Sequence, residues 1–86
     1  MKAAVFDTYV RKPNKELMHF DIIVEEGTGF EAVQTYGQQY LSQKGLPGLR
    51  LSTHECRFCH IEEASQPMQE AISQQGYFIL EMQGCN

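Results

Sequence analysis

The chain has 86 residues, a formal net charge of -4 and 42% hydrophobic residues, which suits one small domain with a modest core. Its seven basic residues are scattered, so we expect no nucleic-acid partner. No apolar run approaches membrane-spanning length, and Asp7 interrupts the N-terminal apolar run too early for a signal peptide. We therefore expect a single cytoplasmic domain over residues 1–86, with no membrane partner.

Two alternating segments at the start of the chain predict a β-hairpin. Apolar and polar residues alternate over residues 2–10 and again over residues 17–25, which is the period-two pattern of strands. Between them, Pro13 and Asn14 are typical turn residues. A slip of one residue would turn a whole apolar face to solvent, so matching the two apolar faces predicts the register.

This register predicts a polar site on the second face of the hairpin. On the apolar face it pairs Phe6 with Ile22, Thr8 with Phe20, and Val10 with Met18. The other face then carries a polar set made of Asp7, Tyr9, His19 and Asp21. Carboxylates that face each other across two strands repel unless a proton or a cation intervenes, and oxygen ligands suit hard cations. The alternative is a solvated acid pair that binds nothing.

The rest of the chain alternates between helical and strand patterns. A capping box at Thr28 and Glu31 begins a helix that ends at Gly45. Short strands are predicted at residues 49–54 and 58–62, a second helix at residues 65–76, and a final aromatic strand at residues 77–82. The order β-β-α-β-β-α-β predicts an α+β, two-layer sandwich with two helices on one face of a mainly antiparallel sheet. The polar set of the hairpin is then expected on the face away from the helices.

The motif His54-x-Cys56-x-x-Cys59-His60 carries the most specific chemical signal. Two thiols at this spacing, flanked by imidazoles, form a soft donor set for zinc or for thiol chemistry. Structural zinc takes four cysteine or histidine ligands, and the second half of the usual motif is missing. The predicted metal ligands are Cys56, Cys59, Cys85 and one histidine, with His54 and His60 as the candidates for the fourth position. This set requires the three thiols to lie on one side of the molecule.

Three classes of function remain open on the residues alone. The first is a metal- or thiol-based binding module, with zinc as its candidate cofactor. The second is a thiol-redox sensor or enzyme, and the third is a plain interaction domain with structural cysteines. The sequence contains no glycine-rich phosphate loop and no G-x-S-x-G motif, so we expect no catalytic residues. The expected partners are a small molecule, another protein, or a second copy of the chain.

Several short motifs together resemble a known family. They are V-F-D-T-Y-V at residues 5–10, M-H-F-D at 18–21, E-C-R-F-C-H at 55–60, G-Y-F-I at 76–79 and G-C-N at 84–86. Over essentially the whole chain they resemble a small bacterial family, domain of unknown function number twenty-twenty-four. The resemblance implies a compact α+β fold with the order β-β-α-β-β-α-β. It implies no settled activity, substrate or cofactor.

Overall fold

The computed structural model describes residues 1–85, and Asn86, the last residue of the predicted domain, lies outside the described residues. Within residues 1–85 there are four strands and two helices. The strands are β1 (Lys2–Arg11), β2 (Leu17–Glu25), β3 (Cys56–Glu63) and β4 (Tyr77–Gln83), and the helices are α1 (Phe30–Gln43) and α2 (Gln66–Gln75). The strands form one antiparallel sheet in the order β3-β1-β2-β4. The α+β class is confirmed.

The hairpin of β1 and β2 has the predicted register. Phe6 pairs with Ile22, and Asp7 lies directly opposite Asp21. Phe20 and Ile22 are fully buried, so a one-residue slip would expose both of them and is strongly disfavoured. These two strands form the centre of the sheet, and their side chains therefore determine what lies on each face.

The two helices pack on opposite faces of the sheet, so the prediction of both helices on one face is wrong. The core cluster that α1 covers contains Leu41 from the helix and Phe6 from β1. The cluster that α2 covers contains Ile72 from the helix and Val5 from β1. Neighbouring residues of a strand point to opposite faces, so α1 and α2 lie on different sides. The molecule has three layers.

The consecutive apolar residues of the central strands explain this error. Residues 3–6 and 22–24 are continuous apolar runs, and such runs are typical of strands that are covered on both faces. The prediction used only the alternating positions and therefore assigned one apolar face to each strand. It overlooked the second apolar face, formed by Ala3, Val5 and Ile23, which are all buried.

Residues 49–54 form a loop instead of the predicted strand. Leu51 is buried in the cluster under α1, and its carbonyl accepts a hydrogen bond from Nε2 of Gln34 at 2.7 Å. The Glu55 carboxylate then accepts from the backbone N–H and the hydroxyl of Ser52, at 2.9 and 2.6 Å. These bonds close a turn. The alternation of this segment reflects two leucines that pack on this cluster, Leu51 buried and Leu49 partly buried. The observed order is β-β-α-β-α-β.

The two helices differ in how well their predicted ends match the structure. The second helix has Ser65 as its N-cap and ends at Gly76, whose φ is +97°, as predicted. The first helix has Gly29 as its N-cap, without a side-chain cap. The hydroxyl of Thr28 donates instead to the carbonyl of Glu25 at 2.7 Å, so the predicted capping box does not form. No helix within residues 1–85 is both long enough and apolar enough to cross a membrane.

The close approach of α1 to the core at Gly37 gives a test of the fold. A methyl group at position 37 would collide with Leu51 and lie 2.8 Å from Cδ1 of Ile22. Alanine stabilises a helix by about 1 kcal/mol relative to glycine, but overpacking costs about 1–3 kcal/mol. We expect Gly37→Ala to lower the free energy of unfolding in urea. The exposed control Gln39→Ala should change it by less than about 0.5 kcal/mol, and equal stability of the two variants would argue against this packing.

Candidate functional site

The structure does not bring the predicted thiol ligands together. Cys59 is exposed on the outer strand β3, whereas Cys85 is buried and its Sγ donates to the carbonyl of His19 on β2 at 3.4 Å. Because β1 lies between these two strands, Cys59 and Cys85 are separated by at least two strand spacings, roughly 10 Å. Two thiolates on one zinc ion are only about 4 Å apart.

The C-x-x-C motif lies inside a strand, which separates its two cysteines. Cys56 is buried under α1, and its Sγ accepts from the hydroxyl of Thr8 at 3.4 Å. Burial raises the pKa of the Cys56 thiol. The predicted ligands Cys56, Cys59, Cys85, His54 and His60 therefore do not converge. Among residues 1–85, no cysteine belongs to a group of three or more side chains whose ligand atoms all lie within 4.8 Å of one another.

The polar set predicted on the hairpin is assembled. Nε2 of His19 donates to Oδ1 of Asp7 at 2.7 Å. The ring of Tyr9 stacks on that of His19, with the ring centres 4.0 Å apart and the planes 12° apart. The ligating atoms of Asp7, His19 and Asp21 all lie within 4.8 Å of one another. These three side chains therefore form a compact donor group on the two central strands.

This cluster lies on the same sheet face as α2, so its prediction on a face away from the helices is wrong. The helix covers Val5 and Ile23. Asp7 and Asp21 are the next residues of that face along β1 and β2, and Asp7 retains a partly exposed side chain. The second face is thus divided into an apolar half under α2 and a polar half beyond it.

The pKa values of the two opposed carboxyl groups shift in opposite directions. Asp21 is only 6% exposed, and its buried Oδ1 has no hydrogen-bond partner among the described residues. Burial, and then the hydrogen bond and charge of Asp7, raise the pKa of Asp21 to about 6. The hydrogen bond from His19 lowers the pKa of Asp7. This pair therefore favours one proton or one cation between its carboxyl groups.

The donor group has the composition of a divalent metal site. Zinc binds histidine nitrogen and carboxylate oxygen at about 2.0–2.2 Å, so neighbouring ligand atoms lie about 3.4 Å apart. The observed separations of up to 4.8 Å require a modest closing movement of the side chains. An ion would replace the proton that His19 shares with Asp7. Three protein ligands leave a coordination position open, as in catalytic zinc sites.

An open groove of about 270 Å³ adjoins this cluster at Asp7. The residues that line it are Asp7, Tyr9, His54, Glu55 and Arg57. His54, predicted as a metal ligand, thus lies at the rim of a groove. Sequence reasoning missed Glu55 and Arg57 as site residues. The signal that identifies Arg57 is its pairing with Asp7, and this pairing requires β3 to begin at Cys56, not at residue 58 as predicted.

Comparison with known proteins agrees with the resemblance seen in the motifs. The family described as Domain of unknown function (DUF2024) matches residues 1–82. The chain belongs to this family. The NMR structure of protein NE1680 from Nitrosomonas europaea is similar to this DUF2024 chain, with 42% identity, a TM-score of 0.84 and 100% of each chain covered. No curated protein matches the chain.

The buried Asp21 carboxyl should make this DUF2024 protein less stable near neutral pH. Its pKa is about 6 in the fold, against 3.8 for an unperturbed aspartate. Between these values the folded state keeps a proton that the unfolded state loses, so the free energy of unfolding falls as pH rises from 4 to 6. In chelator-treated protein, Asp21→Asn should raise the free energy of unfolding by about 1–3 kcal/mol at pH 7 and by little at pH 4.

Urea titrations at pH 4, 5, 6 and 7 measure this difference. Glu70→Gln, which removes an exposed acid of α2, is the matched control and should show no comparable dependence on pH. An Asp21→Asn gain that is equal at pH 4 and pH 7 would show that the carboxyl is not strained in the fold.

Proposed function

We propose that this protein is a small metal-binding module whose ion is held by Asp7, His19 and Asp21. The observation that carries the proposal is the buried, unpartnered Oδ1 of Asp21, which faces a second carboxylate across the sheet. Opposed carboxylates destabilise a sheet, and a buried carboxylate oxygen without a hydrogen-bond partner destabilises the fold further. A divalent cation compensates both charges and gives the unpaired oxygen a ligand bond.

The donor set favours a divalent transition-metal ion. One imidazole and two carboxylates lie within the ligand range of zinc, whereas sites rich in thiolate select softer ions. We therefore propose zinc as the cofactor, held on the hairpin and not by the cysteines. The three cysteines are free thiols, which fits the reducing cytoplasm, and we propose that compartment as the protein's location.

The open coordination position favours a small molecule as the partner. The groove beside Asp7 contains Arg57 and His54 at its rim, and a guanidinium group binds carboxylate or phosphate groups in a fixed geometry. A bound ion and Arg57 together would hold a small anion by two of its oxygens. This supports a module that binds an anionic small molecule, with the ion as part of the binding site.

Zinc titration of the chelator-stripped protein tests the metal site. We expect Asp21→Asn to weaken zinc binding by about a hundredfold or more, since changes to residues that only support ligands already weaken it 10–100-fold. Isothermal titration calorimetry measures the dissociation constants. The variant should be at least as stable as the wild type, so the loss cannot come from unfolding. Cys59→Ser should bind zinc as the wild type does.

Cobalt substitution separates the hairpin site from the thiol site. Cobalt bound by Asp7, His19 and Asp21 should show no thiolate-to-metal charge-transfer absorption, because these ligands contain no sulfur. A strong charge-transfer band that disappears in Cys59→Ser would show that the metal binds at the C-x-x-C motif instead. No saturable zinc binding by the stripped wild type would refute the proposal.

Phosphate binding to the zinc-loaded protein tests the groove. We expect calorimetry to detect inorganic phosphate binding, and Arg57→Gln to weaken it about tenfold through loss of a charge-assisted hydrogen bond. Arg50→Gln removes an exposed arginine that does not line the groove and should leave the affinity unchanged. If both arginine variants bind phosphate equally well, the anion does not occupy the groove.

A further inference from the structure

A second chemical cluster lies on the outer strand β3 and shares no residue with the proposed metal ligands. Nδ1 of His60 lies 3.3 Å from Sγ of Cys59. Nε2 of the same ring lies 2.7 Å from Oε1 of Glu62. A thiol, an imidazole and a carboxylate thus follow one another in hydrogen-bonded order. Cys59 is exposed, and the side chains of His60 and Glu62 are 50% and 38% exposed.

A β-bulge explains how neighbouring residues of one strand come into contact. In a regular strand, residues 59 and 60 would point to opposite faces. Val5 pairs with His60 and Phe6 pairs with Phe58, so Cys59 is an extra residue without a partner on β1. Bulges turn a side chain away from its regular direction, and here the thiol reaches the neighbouring imidazole. His60 and Glu62 are two residues apart and share a face.

The hydrogen bonds assign a role to each group. The Glu62 carboxylate accepts from Nε2–H, which leaves the lone pair of Nδ1 available for the proton of the Cys59 thiol. A nucleophile, a base and a group that orients the base form the arrangement that activates catalytic cysteines and serines. Exposure allows a small reagent to reach the sulfur atom.

We propose that Cys59 is a redox-modification site, activated by His60, that reacts with small hydroperoxides. Sγ attacks the terminal oxygen of the peroxide, an S–O bond forms and the O–O bond breaks. The thiol proton passes to Nδ1 of His60 and then to the departing alkoxide, which leaves as an alcohol, or as water when the reagent is hydrogen peroxide. The sulfur is oxidised to sulfenic acid and the peroxide is reduced.

The fold directs the sulfenic acid to an external thiol. Cys56 is buried under α1 and bonded to Thr8, so it does not reach Cys59 to close a disulfide within the C-x-x-C motif. A small thiol in solution instead attacks the oxidised sulfur of Cys59. An S–S bond forms and water leaves, which yields a mixed disulfide. The modification marks an exposed edge strand without changing the core.

Trapping of sulfenic acid in the native full-length protein tests this proposal. Hydrogen peroxide is added with dimedone, and the adduct is located and timed by mass spectrometry. We expect the adduct at Cys59, with buried Cys56 and Cys85 as unlabelled internal controls. His60→Ala should slow the reaction about tenfold or more, since a positioned base contributes at least that factor. Glu62→Gln should slow it about threefold, in line with an exposed ion pair.

The neighbouring acid supplies a matched control for Glu62. Glu63 lies on the same strand and pairs with Lys2, so Glu63→Gln should react at the wild-type rate. His60→Ala reacting as fast as the wild type would overturn the proposal. Labelling spread evenly over Cys56, Cys59 and Cys85 in the folded protein would also overturn it. Circular dichroism of each variant confirms that the fold is retained, since these side chains are exposed.

Discussion

The opposition of Asp7 and Asp21 across the central strands is the constraint on which the candidate site depends. Hydrophobic packing on the sheet face that α1 covers imposes this opposition. Phe20 and Ile22 are fully buried under α1, and only one register keeps them there. The same register places the two carboxyl groups opposite each other. The core therefore holds an electrostatically unfavourable pair in place, and its apolar burial offsets the cost of that pair.

The unequal coverage of the two sheet faces makes this pair accessible. On one face, α1 covers a cluster that extends from Ala4 to Val10 along β1. On the other face, α2 covers only Ala3 and Val5 of β1. A longer helix over this face would bury Asp7 and Asp21 and close their access to solvent. Instead, the groove opens at Asp7, with Arg57 on the neighbouring strand. The short helix thus divides this face into an apolar part that it covers and a polar part that it leaves open.

The sequence predicts the parts of this structure that depend on local patterns. The hairpin register and the cluster of Asp7, Tyr9, His19 and Asp21 follow from alternation over about ten residues, and the structure confirms their pairing. The groove could not be predicted, because Arg57 reaches Asp7 through pairing between segments about fifty residues apart. The positions of Cys56 and Cys59 could not be predicted for the same reason. The C-x-x-C motif gives the spacing of the two cysteines, but not whether they lie in a strand or in a turn. The bulge at Cys59 has no sequence signature.

The separation of the two cysteines of the C-x-x-C motif also explains why the proposed metal site on the hairpin and the proposed thiol chemistry at Cys59 lie at different places. An ion bound at Cys59 would find His60 beside it, but Cys56 is turned into the core, and two protein ligands are too few for a stable zinc site. The hairpin offers three donors and a charge of -2, so a divalent ion should prefer it. Under the proposed function, the Cys59 thiol is then left free of metal. Each histidine has different neighbours: His19 lies beside Asp7 and Asp21, His60 contacts Cys59 and Glu62, and His54 lies at the rim of the groove.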